Sequence, residues 1–160
     1  MAEPRIGVSA CLLGEEVRYD GGHKRNATLI ELVGPEVEWV SVCPEVEIGM
    51  GTPREPLQLV PDEGRLRMVT VRTGIDYTDL MNEWARRRVR ELERAGIDGY
   101  VLKSGSPSCG LEAPGLFADV LTTSLPSLPV IDEKDLEDPA ARAEFVERVI
   151  AYNRRRTGGV

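Results

Sequence analysis

Tyr100-Val101-Leu102-Lys103-Ser104-Gly105-Ser106-Pro107-Ser108-Cys109-Gly110 is an apolar run that stops in a Gly/Pro/Ser-rich turn carrying a cysteine. The same grammar occurs twice more, in Ile6-Gly7-Val8-Ser9-Ala10-Cys11 and in Trp39-Val40-Ser41-Val42-Cys43-Pro44. Short β-branched runs bounded by turn residues read as strands. If the three strands lie parallel in one sheet, their thiols gather along its carboxyl edge, where open α/β sheets place ligands. Three converging thiolates make a soft metal site.

Between these runs lie helical patterns. From Asp76 to Ala95, the residues Leu80, Met81, Trp84, Ala85, Val89, Leu92 and Ala95 recur at spacings of three and four, and Gly96 supplies a stop. Shorter helical stretches fall at 26–33, ending near Gly34-Pro35, and at 115–125, before a last strand over Leu128–Ile131. Asp138 as N-cap with Pro139 at the first helical position opens a terminal helix whose face carries Ala141, Phe145, Val149 and Tyr152. Alternating strands and helices imply a mainly parallel, doubly wound (Rossmann-like) α/β sheet in a single domain, 1–160. The segments Leu57–Val60 and Leu66–Val71 flank Pro61-Asp62-Glu63-Gly64 and read as a small antiparallel hairpin insertion with a four-residue loop.

Composition narrows the function classes. The chain has 160 residues, 41% hydrophobic and 29% charged, with no apolar run approaching the roughly 18 residues of a membrane span. Met1-Ala2-Glu3-Pro4-Arg5 has no secretory pattern, and an odd number of cysteines argues against a disulfide framework, so a cytoplasmic protein with free thiols is expected. Twenty basic against 27 acidic residues give a net charge of −7, which disfavours a nucleic-acid partner and favours a small ligand. The clusters Arg86-Arg87-Arg88 and Arg154-Arg155-Arg156 read as solvated helix faces.

The cysteine spacing taken alone matches no zinc pattern: there is no Cys-x-x-Cys, and His23 is the single histidine. Free cysteines are often small buried hydrophobes. Their neighbours Ser9, Pro44 and Ser108 are poor apolar packing partners, however, and a position just past a strand is open to a ligand.

Taken together, Ser9-Ala10-Cys11-Leu12-Leu13-Gly14, Val17-Arg18-Tyr19-Asp20-Gly21, Val42-Cys43-Pro44-Glu45, Gly51-Thr52-Pro53-Arg54 and the stretch Leu102–Gly110 resemble the DUF523 family, to which the thiouracil desulfidases belong. The resemblance covers nearly the whole chain. From Gly115 to Arg148 it is similar to the form found fused to a second domain in proteins that remove sulfur from thiolated tRNA.

This resemblance implies a [4Fe-4S] cluster held by Cys11, Cys43 and Cys109. A four-iron cluster normally takes four thiolates, so three leave one open iron for a soft ligand such as a thiocarbonyl sulfur. Glu45, two residues after Cys43, is the carboxylate expected to take a proton from water. Ser104 is the expected proton relay, by resemblance. Ser106 and Lys103 are candidates for substrate binding, as are Asp20 in its turn and Arg54, which would grip a substrate oxygen. The substrate expected is a small-molecule thiolated nucleobase or nucleoside, with tRNA possible but disfavoured. Two alternatives remain open at this point: a non-catalytic iron-sulfur or zinc binding module, and a zinc hydrolase site with three thiolates.

Overall fold

The computed structural model describes residues 3–111 and 114–158. Its frame is a four-stranded sheet built from β1 (Arg5–Ser9), β2 (Glu38–Val42), β5 (Gly99–Leu102) and β6 (Val130–Asp132). The spatial order is β2-β1-β5-β6, and every neighbouring pair is parallel. Between β1 and β5 the connections diverge, one chain path leaving toward β2 and the other toward β6. That divergence creates the crevice at which parallel sheets bind ligands.

Both faces of the sheet are covered, as parallel sheets require. On one face α2 (Thr78–Ala95) and α3 (Leu116–Ser124) pack Met81, Trp84, Val89, Leu92, Phe117 and Leu121 over Val42, Tyr100 and Leu102. On the other, α4 (Pro139–Thr157) and a π-helical turn, Leu29–Val33, bury Phe145, Val149, Leu29 and Val33 against Ile6, Val8 and Val101. The strands are apolar on both sides because both sides are core. Gly7 lies opposite Tyr100 in the ladder, and a Cβ there would come within 2.5 Å of the Tyr100 ring, so only glycine lets that ring lie across β1.

Local signals act where the sequence places them. Gly96 ends α2 in the left-handed conformation at φ 77°, and the Asp138 carboxylate accepts from the Ala140 N–H at 3.3 Å to cap α4 behind Pro139. One expectation is corrected. The hairpin β3 (Leu57–Asp62) and β4 (Arg65–Thr70) forms a separate two-stranded sheet closed by a two-residue turn, Glu63-Gly64, not by a four-residue loop. Both turn residues have positive φ, 48° and 80°, the twist that tight hairpins demand. Pro61 therefore continues β3, opposite Leu66. Among the described residues no helix is long and apolar enough to cross a membrane.

Candidate active site

All three cysteines line one cavity of about 230 Å³ at the carboxyl edge of the sheet, together with Glu45, Arg54, Lys103, Ser104, Ser106 and Ser108. Cys11 follows β1 in a single 3-10 turn, Ala10–Leu13. Cys43 is the residue between β2 and α1 (Pro44–Glu47), where Pro44 starts the helical turn that carries Glu45. Cys109 sits beyond β5 in a loop docked on the N-terminus of α3. There the Leu116 N–H donates to the Pro107 carbonyl at 3.1 Å and the Ala118 N–H to the Ser108 carbonyl at 3.0 Å. The exposed amides of a helix start thus fix the loop that carries the third thiol.

At the crevice itself the Lys103 N–H donates to the Ser9 hydroxyl at 3.0 Å, tying the end of β5 to the end of β1. Burial pushes the Cys11 thiol up to about 11, against the pull of Lys103. Burial also raises Cys43, and raises the fully buried Cys109 further, although the Ser9 hydroxyl draws that thiol back down. The three groups are therefore thiols at neutral pH, and a metal must displace their protons on binding.

Among the described residues, no three His, Cys, Asp or Glu side chains come close enough to hold one metal ion. A four-iron cluster distributes its thiolates over separate irons, and three thiols facing one cavity fit that larger group.

Two polar sets complete the cavity. In the first, the Glu45 carboxylate accepts from Arg54 Nε at 3.0 Å and from the Ser108 hydroxyl at 2.9 Å. Both ionic partners are largely buried, Arg54 to 6% and Glu45 to 13% side-chain exposure. Arg54 also donates to the Gly51 carbonyl at 2.9 Å, so two of its nitrogens are engaged within the protein while the side chain lines the cavity. In the second set, Glu133 accepts from the Ser104 N–H at 2.8 Å and from the Ser104 hydroxyl, and lies 3.6 Å from Lys103 Nζ. Lys103 Nζ also donates to the Ser104 carbonyl at 2.5 Å.

The sequence-based candidates are thus brought together with one exception. Asp20 does not line the cavity. Its carboxylate accepts from the Gly22 N–H at 2.9 Å and pairs with Arg18, which is the ordinary work of a turn aspartate. Its neighbours Arg18 and Tyr19 face the cavity instead. Ser106 lines the cavity too, but its hydroxyl accepts from the Ser108 and Cys109 N–H groups at 3.1 Å each and so shapes the cysteine loop.

Residues that sequence reasoning missed are Glu133 and Glu47. Glu133 follows β6 directly, so the strand-end rule that points to the cysteines reaches it only when that strand is ended at Asp132, one residue beyond the Ile131 that the sequence suggests. Glu47 accepts from the Cys43 N–H at 3.1 Å and pairs with Arg88 of α2 at 3.0 Å, which anchors the Cys43 turn to the helix layer.

Comparison with known proteins agrees with this architecture. The sequence profile of a family described as 2-thiouracil desulfurase matches residues 6–133. An uncharacterized protein, YbbK of Bacillus subtilis (strain 168), is 36% identical over 111 residues, covering 66% of this chain and 72% of that one. Among solved structures, a [4Fe-4S]-dependent thiouracil desulfidase, TudS, superposes with a TM-score of 0.72 at 31% identity, over 88% of this chain and 98% of the other.

Proposed function

The chain belongs to the 2-thiouracil desulfurase family, and from that membership we infer that it is a [4Fe-4S]-dependent desulfidase. It converts the C=S of a thiolated pyrimidine to C=O and releases sulfide. The observation that carries this reading is the gathering of three cysteines, a carboxylate and two carboxylate-linked serines in one cavity at the sheet's crevice.

Cys11, Cys43 and Cys109 would hold the cluster, and an iron left without a protein thiolate would supply a Lewis acid able to attract thiocarbonyl sulfur and polarise its bond to carbon. The chain's own residues then manage water and protons. Glu45 faces the cavity and takes a proton from the water that attacks the carbon. Ser108 and Arg54 hold its two oxygens, so the carboxylate loses little orientational freedom in the step. The overall change, C=S plus water giving C=O plus hydrogen sulfide, needs no oxidant or reductant.

The substrate is a free thiolated base or its nucleoside. A cavity of about 230 Å³ is below the ~300–1,000 Å³ of drug-sized ligand sites, and the net charge of −7 repels a polyanion. Within the basic clusters, Arg156 is engaged by Asp98 at the opposite, amino edge of the sheet, and Arg88 is engaged by Glu47.

Anaerobic reconstitution with iron and sulfide, followed by a sulfide-release assay, tests the reading. Cluster-loaded protein will release sulfide from 2-thiouracil or 4-thiouracil faster than from thiolated tRNA. Loaded protein that leaves every free thiopyrimidine intact refutes it.

A further inference from the structure

Hydrolysis of a thiocarbonyl removes two protons from one water oxygen: the first as the oxygen attacks carbon, the second as the resulting C–OH collapses to C=O. Glu45 accounts for the first. Resting on the desulfidase reading above, we propose that Glu133 is the positioning residue for the second proton, acting through Ser104.

Ser104 lines the cavity and is 8% exposed, whereas Glu133 stands behind it, outside the lining. The Ser104 hydroxyl donates to Glu133, which leaves the lone pairs of Oγ as acceptors for the cavity. The Ser104 N–H donates to the other carboxylate oxygen at 2.8 Å, and Lys103 Nζ lies 3.6 Å away, so Glu133 is pinned on one side by backbone and on the other by a cation. Its side chain is 12% exposed. Sheet order adds separation: Glu45 follows β2 and Glu133 follows β6, and these strands are the two edges of the sheet. The two carboxylates therefore reach the crevice from opposite sides.

In the second step the C–OH proton passes to Ser104 Oγ while the hydroxyl proton of Ser104 passes to Glu133. The oxygen's electron pair forms the C=O bond as the C–S bond breaks, and sulfur leaves with that bond's electrons as sulfide. The protons held by Glu45 and Glu133 are then those that accompany the sulfide out as hydrogen sulfide. Atoms and charge balance without a further reactant.

The test uses cluster-loaded protein and measures iron per chain, kcat and KM for wild type, Glu133→Gln, Glu133→Asp, Ser104→Ala and the double variant Glu133→Gln/Ser104→Ala. Gln keeps the size of the side chain but cannot take the proton. It will lower kcat by roughly 10²-fold or more, with KM and iron content unchanged, and Asp will recover part of the loss. Because both substitutions break one relay, the double variant will be no slower than the slower single one. Unchanged kcat in Glu133→Gln overturns the proposal, as do losses that multiply in the double variant. Loss of iron in both Glu133 variants also overturns it, because the role would then be to hold the loop. Should Gln alone lose iron, the same comparison between Glu133→Asp and Ser104→Ala decides. A wild type that releases no sulfide refutes the function itself and this inference with it, whereas an active wild type with an indifferent Glu133→Gln refutes this inference alone.

Discussion

At the scale of single residues, the site pairs thiols that resist ionisation with carboxylates that are held in place. Replacing Glu45 by Gln preserves the bond from Ser108 but removes the base. Turnover will fall by roughly 10²-fold while the visible spectrum of the cluster persists, and a variant with full turnover would move proton abstraction elsewhere. The thiols make a separate prediction for cluster-free protein. Their ordinary value is 9.0, and burial raises Cys11 to about 11, with Cys43 and Cys109 also shifted upward. Between about pH 9 and 11 the unfolded chain has released protons that the folded chain still holds, so stability falls as pH rises through that window. Melting temperatures of the iron-free chain will decline there, and a triple Cys→Ser variant will reduce the decline, leaving the part above about pH 10 that the buried Tyr100 hydroxyl, also shifted upward by burial, contributes. Residue identity was the most legible layer of the sequence. Cysteine, glutamate and serine at strand ends were visible as such, whereas Asp20 carried the same letters for a turn. Nothing in one sequence separates a turn aspartate from one facing a cavity.

At the scale of elements, the start of α3 is the support for the Cys109 loop. Gly115 precedes that helix, and a Cβ there would sit 2.7 Å from the Cys109 amide nitrogen and closer still to the Ser108 carbonyl. These are backbone atoms that cannot swing aside, so Gly115→Ala will displace the loop. We expect a cost of about 1–3 kcal/mol and, more tellingly, substoichiometric iron after reconstitution. A variant that loads a full cluster would show the loop to be free to adjust. The long helix α2 was legible from its period, and α4 from its Asp-Pro start. The end of β6 was not. Three residues are too few to carry alternation, and moving the strand from 128–131 to Val130–Asp132 is what brings Glu133 to its end. A boundary error of one residue concealed the second carboxylate.

At the scale of the whole molecule, stability and chemistry occupy opposite edges of the sheet. Asp98, fully buried just before β5, accepts from the Arg5 N–H at 3.0 Å, from Asn153 at 2.9 Å and from Arg156 at 2.7 Å, locking α4 to β1 and β5 far from the cysteines. Asp98→Ala will destabilise the fold by about 2–3 kcal/mol, under the ~3–5 of a fully buried pair because Arg156 is 32% exposed. Turnover per loaded cluster will be unchanged. Denaturant midpoints alongside kcat check this, and a matching loss of kcat would show that the edges are coupled. Strand order was only half legible, since alternation implies a parallel sheet but does not say which strands are neighbours.

That order, β2-β1-β5-β6, also has a consequence in time. During synthesis at about 5–20 residues per second, Cys109 emerges roughly 3–13 s after Cys43, and β1 waits that long for its second neighbour. Until then two thiols of the nascent chain have no third, and the cavity has no wall on the β5 side. A cluster held by all three thiols would therefore be delivered only after the β5 loop has emerged, and Cys11 and Cys43 pass that interval without their third partner.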